Sequence, residues 1–182
     1  MLFLRKALEY SLYLTNDHKI GDLFSIRYGL RLSIFQNKGE EYLYLFDDEY
    51  EYYGDIYYGS NELFHTEFNM EPRLAIMYQL DDKSSIKASY LRTVQYAQVA
   101  TNATGGIPFD LWFPSSPNIK PQKCDQYAIG YFRNFLNNVI ETSLEIFYKD
   151  IHNVIDFADD AFFIGNLYID GEVRSGTGQA YG

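Results

Sequence analysis

What the 182-residue sequence lacks narrows its class before any motif is considered. It has one cysteine, Cys124, so neither an internal disulfide framework nor a cysteine-based zinc site can form. Cationic side chains are scarce. Lys plus Arg number 15 against 25 Asp plus Glu, and a net charge of −10 leaves no basic patch for phosphates, which argues against a nucleic-acid partner. Nowhere do about 18 apolar residues run together, which excludes a membrane-crossing helix but not membrane-crossing strands, whose alternation averages out in hydropathy. The opening MLFLRKALEYSLYL has an early charge cluster, Glu9 and no small-residue cleavage site. It makes a poor signal peptide, so any export signal is expected outside this chain.

What the sequence has in excess is aromatic residues, 18 Tyr and 14 Phe, set in a period of two. Residues 24–35 read FSIRYGLRLSIF, with Phe24, Ile26, Tyr28, Leu30, Leu32 and Ile34 on one face. Ser25, Arg27, Gly29, Arg31 and Ser33 occupy the other, as in a strand long enough to cross hydrocarbon in a tilted barrel. Comparable segments are expected at about 8–15, 65–80, 86–96, 124–133 and 139–150, with a further strand beginning near Gly176. Asn16–Asp22, Asp81–Ser85 and Asn134–Asn138 supply turn chemistry. Pro72 cannot donate to a ladder and is expected near a strand end or bulge. Long connectors are expected at about 36–63, 97–121 and 156–170, the second holding Gly105-Gly106 and four of the five prolines.

The fold class expected is therefore all-β, an antiparallel up-and-down meander. Six or seven strands are too few for a closed membrane barrel, which starts at about eight. Open edges in lipid would leave backbone groups unpaired at several kcal/mol each. The chain, residues 1–182, is accordingly expected to be a fragment of a large transmembrane β-barrel with about six to seven strands. A carbohydrate-binding soluble or surface-attached β-sandwich is the alternative, and a small closed barrel a third.

Several stretches resemble the barrel of a TonB-dependent outer-membrane receptor. Asn118-Ile119-Lys120-Pro121-Gln122, followed by Asp125-Gln126-Tyr127 and Gly130-Tyr131, is similar to the "N-L-K-P-E … E-x-G" stretch of these barrels. Phe147-Tyr148-Lys149-Asp150-Ile151-His152-Asn153-Val154-Ile155 resembles the "F-Y-x-D-I-x-N-x-I" strand that follows. Glu71-Pro72-Arg73-Leu74, Ser85–Tyr90 and Gly178–Gly182 fit further landmarks in order, and Tyr28-Gly29-Leu30-Arg31 extends the match upstream. The resemblance implies a barrel of about 22 strands around a plug domain. It also implies a location in a Gram-negative outer membrane and uptake of a scarce nutrient, such as an iron chelate, cobalamin, glycan or peptide, driven through TonB. The partners implied are the plug, the remaining strands, TonB, outer-membrane lipid and the ligand; plug and TonB-contacting segments are absent from these residues.

No catalytic constellation is present, so the chain is not expected to be an enzyme and no cofactor is expected. His18, His65 and His152 fall in no metal-ligand spacing, and no metal is expected at them. Ser175-Gly176-Thr177-Gly178 lacks the Gly-Lys-Ser/Thr ending of a phosphate loop and reads as a strand-entry turn. The stretch Glu40–Gly59 is the candidate ligand surface. There Tyr52, Tyr53, Tyr57 and Tyr58 offer flat, amphipathic rings, with an aromatic girdle or self-packed loop as the plainer reading. Asp47, Asp48, Glu49 and Glu51 lack the spacing of a calcium loop and read as a solvated acidic loop. Trp112 either points into the vestibule or anchors its loop to the rim. Arg27 and Arg31 are expected to face the lumen, because a cation near mid-membrane on the lipid face costs about 2–4 kcal/mol.

Overall fold

The computed structural model describes residues 6–100, 111–136, 139–159, 161–162 and 166–182. Gly105-Gly106, Pro108 and Asn137-Asn138 lie outside the described residues. The chain runs β1 (Lys6–Ile20), β2 (Phe24–Lys38), β3 (Glu41–Phe46), β4 (Tyr52–Tyr58), β5 (Leu63–Asp81), β6 (Ser84–Gln95), β7 (Ala97–Ala100), β8 (Leu111–Pro114), β9 (Gln122–Phe135), β10 (Ile140–Phe157) and β11 (Val173–Tyr181). One turn of 3₁₀ helix, Ile169–Glu172, precedes β11. Seven long strands form one antiparallel sheet in the order β1-β2-β5-β6-β9-β10-β11, while β3-β4 and β7-β8 form separate two-stranded ribbons. Among the described residues the sheet does not close on itself, and no second large sheet packs against it. The sandwich and small-barrel alternatives therefore fail.

Each face of this sheet follows from the period of two. On β2 the even positions Tyr28, Leu30 and Ile34 are exposed, whereas Ser33, Phe35 and Asn37 on the opposite face are buried. The exposed apolar face continues through Leu12, Met70, Ile129, Ile146 and their neighbours. Its opposite is concave: a trough of about 580 Å³ is lined from six strands, with Arg27, Met77, Lys87, Phe132 and Glu145 among its walls. Apolar outside and polar inside inverts the arrangement of a water-soluble sheet.

Register shows how the apolar band runs. The paired row from Ile146 passes through Ile129, Ala88, Ile76 and Ile26 to His18. The next row runs from Tyr181 through Tyr148, Tyr127, Tyr90, Leu74 and Tyr28 to Asn16. At β10 these rows are mid-band and its upper limit. At β1 both reach polar residues, and the apolar run sits further along at Tyr10, Leu12 and Leu14. The band crosses the hydrogen-bonded rows diagonally, as it must when strands tilt by about 35–45°.

Five local expectations need correction. β1 continues through Asn16–Ile20, because its ladder with β2 holds to Ile20↔Phe24 and Asp17 pairs across it with Arg27. The turn is only 21–23. Pro72 sits in the middle of β5, not near its end, but the β5–β6 ladder starts just beyond it at Arg73↔Leu91, which spares its missing N–H. β10 extends to Phe157, and Ser175–Gly178 lies within β11 rather than in an entry turn. The connector 36–63 is an ordered ribbon, not a plain loop.

Candidate functional site

The three tight turns gather at one end of the sheet and the three long connectors at the other. The site is built at this connector end. In the first connector, β3 and β4 pair in register from Glu41↔Tyr58 to Leu45↔Gly54 around an acidic turn. The turn is organised by Asp47, whose Oδ1 accepts from the backbone N–H of Glu49 (3.1 Å) and of Glu51 (2.8 Å). Tyr52 donates to Asp55 Oδ1 (2.6 Å), and Tyr57 donates to Glu40 Oε1 (2.9 Å). A phenol bonded to a carboxylate resists losing its proton. The bond to Asp55 pushes Tyr52 up to about 12, and the bond to Glu40 likewise raises Tyr57. Burial raises Tyr44.

The ribbon is locked to the third connector by rings. Tyr168 lies 4.9 Å from Tyr44 and 4.5 Å from Tyr52, and Tyr44 and Tyr52 meet at 6.1 Å. The Arg174 guanidinium lies over the Tyr50 ring at 3.8 Å. Asn118 of the second connector donates to the Tyr44 carbonyl (3.0 Å) and joins that connector to the same ribbon.

The second connector folds back over the concave face. Tyr96 stacks on Phe35 at 4.9 Å, shares a hydrogen bond with Ser33 Oγ (2.7 Å) and accepts one from Asn69 Nδ2 (3.1 Å). Ser33 also donates to Glu71 (3.0 Å), so a buried polar layer fastens the connector to β2 and β5. Ser115 donates twice to the Tyr96 carbonyl, through its backbone N–H (2.6 Å) and its hydroxyl (3.0 Å). Farther along, Ala100, Phe113 and Ile119 form an apolar cluster with Ile155 of β10 and Val173 of β11. A bulge at Asn153, which has φ 58°, shifts the β10–β11 register below that cluster, and Asn153 donates to the Pro121 carbonyl (2.8 Å).

The residues singled out from sequence separate under this geometry. Tyr52 belongs to the ring cluster, and Tyr58 stacks on Phe64 at 4.9 Å. Tyr53 and Trp112 are each 67% exposed, and Tyr57 is 51% exposed against Tyr42 at 4.9 Å. Trp112 and Tyr53 sit on different ribbons. Arg27 lies on the wall of the trough and donates to Asp17 (2.5 Å), while Arg31 lies 3.3 Å from Glu9 and 3.6 Å from Glu71. Tyr96 and Tyr168, which hold the connectors in place, were missed. Their partners stand tens of residues away, and no local spacing announces them.

The arrangement offers rings and carboxylates. Among the described residues, no three His, Cys, Asp or Glu side chains converge as a metal site. His65 and His152 each approach a carboxylate two residues away, at 3.3 Å and 3.2 Å.

Comparison with solved structures supports the same architecture. The alcaligin outer membrane receptor FauA from Bordetella pertussis superposes with a TM-score of 0.56 at 18% identity, over 97% of this chain and 26% of that one. The FrpB iron transporter from Neisseria meningitidis gives 0.54 at 15% identity, over 86% of this chain and 20% of that one. The chain thus spans about a quarter or less of the length of these structures. No curated protein matches the sequence. The model of the family "TonB dependent receptor-like, beta-barrel" matches residues 5–177, and the chain belongs to that family.

Proposed function

We propose that the chain is one arc of an outer-membrane receptor that imports a scarce nutrient, with its tight turns toward the periplasm and its connector end outside. The observation that carries this is the apolar face of an open seven-stranded sheet, whose two unpaired edges, β1 and β11, demand further strands in lipid. The concave face, whose trough is lined by Lys87 and Glu145 as well as by the Arg27–Asp17 pair, suits a folded plug domain inside the completed barrel. Energy for uptake would then come through TonB, engaged by that plug. The connector end would meet the ligand first, and its exposed Tyr53, Tyr57 and Trp112 are the proposed contacts.

Fractionation of the full-length product containing this arc tests the proposal. A heat-modifiable band in outer membranes is the expected result, and a soluble monomer overturns it. Single cysteines refine the orientation. A fluorophore at Ile129→Cys should be quenched by lipid-borne quenchers, whereas one at Ala128→Cys should not.

A further inference from the structure

Among the described residues, strand β4 has a paired strand on one side only. β3 pairs with it, and the other side of β3 is engaged by Asn118 at Tyr44. Among the described residues the far side of β4 makes no backbone hydrogen bond. Its sequence, YYGDIYY, carries a single charge, Asp55. Proteins ordinarily blunt such an edge with charge, proline or a covering segment, because it templates the addition of another strand. Here it is flanked by Tyr53, Ile56 and Tyr57, all exposed.

The connector that carries this edge has charge of one sign. Residues 39–62 contain eight Asp and Glu and no Lys or Arg. A cation that reaches this connector, Arg174, settles on a tyrosine face.

We propose that the free edge of β4 docks an extended basic peptide, which adds as a third strand to the β3–β4 ribbon. Main-chain groups of β4 supply the hydrogen bonds, and alternate Lys or Arg side chains reach the surrounding carboxylates and rings. An acidic peptide would meet like charge. A neutral glycan would use the rings but leave the edge open. A second copy pairing β4 to β4 would bring the two acidic connectors together. The proposal goes beyond nutrient uptake and requires only that this end face outward.

Full-length protein purified in detergent is titrated with fluorescein-labelled peptides of about ten residues and read by anisotropy. One alternates Lys and Val, one alternates Glu and Val, and one is the Lys-Val peptide N-methylated along one edge. Binding of the Lys-Val peptide is expected, weakening at least about tenfold between roughly 50 and 500 mM salt. The Glu-Val peptide should not bind, and N-methylation should cost about tenfold or more, because it removes strand-forming donors. The double variant Tyr42→Ala/Tyr57→Ala should lose about tenfold while keeping its heat-modifiable band. Equal binding of the methylated peptide overturns the edge, and equal binding of the Glu-Val peptide overturns the charge. Salt-independent displacement by maltooligosaccharide, or dimerisation that blocks the peptide, replaces the occupant and also overturns the proposal. Because the titration is done in detergent, its outcome is separate from whether the receptor reaches the outer membrane.

Discussion

The sheet and its connector end are held together in opposite ways. In the sheet each residue's role follows from its neighbours two positions away, and contacts run strand to adjacent strand along long ladders. At the connector end the important contacts join residues distant in sequence, such as Tyr96 with Ser33 and Tyr44 with Tyr168. The sheet takes its face from solvent, which rewards apolar side chains outside only if lipid is there. The connector end makes its own small core, with Phe113, Ile119, Ile155 and Val173 shielded from water. A wall can therefore be specified by local pattern, while a mouth has to be specified by long-range packing.

The largest expected effect separates the two regions. Phe113→Ala should cost about 3–5 kcal/mol locally, since it empties the centre of the connector cluster. Hydrogen exchange should rise across β7, β8 and the start of β11 while the long ladders keep their protection. Uniform loss of protection would mean that the mouth is not a separate unit. Next, Ile129→Arg should cost about 2–4 kcal/mol on unfolding from liposomes, with Ala128→Arg close to neutral. Equal costs at these adjacent positions would erase the distinction between the faces.

Tyr96→Phe is smaller. It leaves Ser33 and Asn69 without their phenol partner, a penalty of about 1–3 kcal/mol, and should loosen 97–100 and 111–121 without disturbing β2. The smallest effect is a titration. Tyr52 holds its proton to about 12 because of Asp55, so the bond is intact below the ordinary phenol range near 10 and is lost as pH rises from there through about 12. Ultraviolet titration should show tyrosine absorbance ionising late, and Tyr52→Phe should remove the part that persists to about 12. An unchanged curve would place that late ionisation elsewhere.

Much of the sheet was legible because Phe24–Phe35 and its counterparts repeat every two residues, and burial of one face enforces that repeat. Asn16–Ile20 was misjudged for the opposite reason. Its residues favour turns in isolation, but fifteen paired positions with β2 override them. Tyr42 to Phe46 carried an alternation that marked β3, yet the acidic turn beside it drew attention to loop chemistry. For the candidate site, exposed tyrosines could be found by composition. Which of them are structural could not, because Tyr52 acquires its ring partners from residue 168.

The diagonal of the apolar band carries a consequence for any strand that would join this sheet. It behaves like the thread of a screw: each successive strand from β1 toward β10 carries its exposed apolar residues lower in the shared register. A strand joining the β11 edge must continue that offset, and one joining β1 must reverse it. Inserting one residue in mid-strand, for example between Ala88 and Ser89, would cross the thread. Every side chain beyond that point would then exchange one face of the sheet for the other unless a bulge absorbed the extra residue.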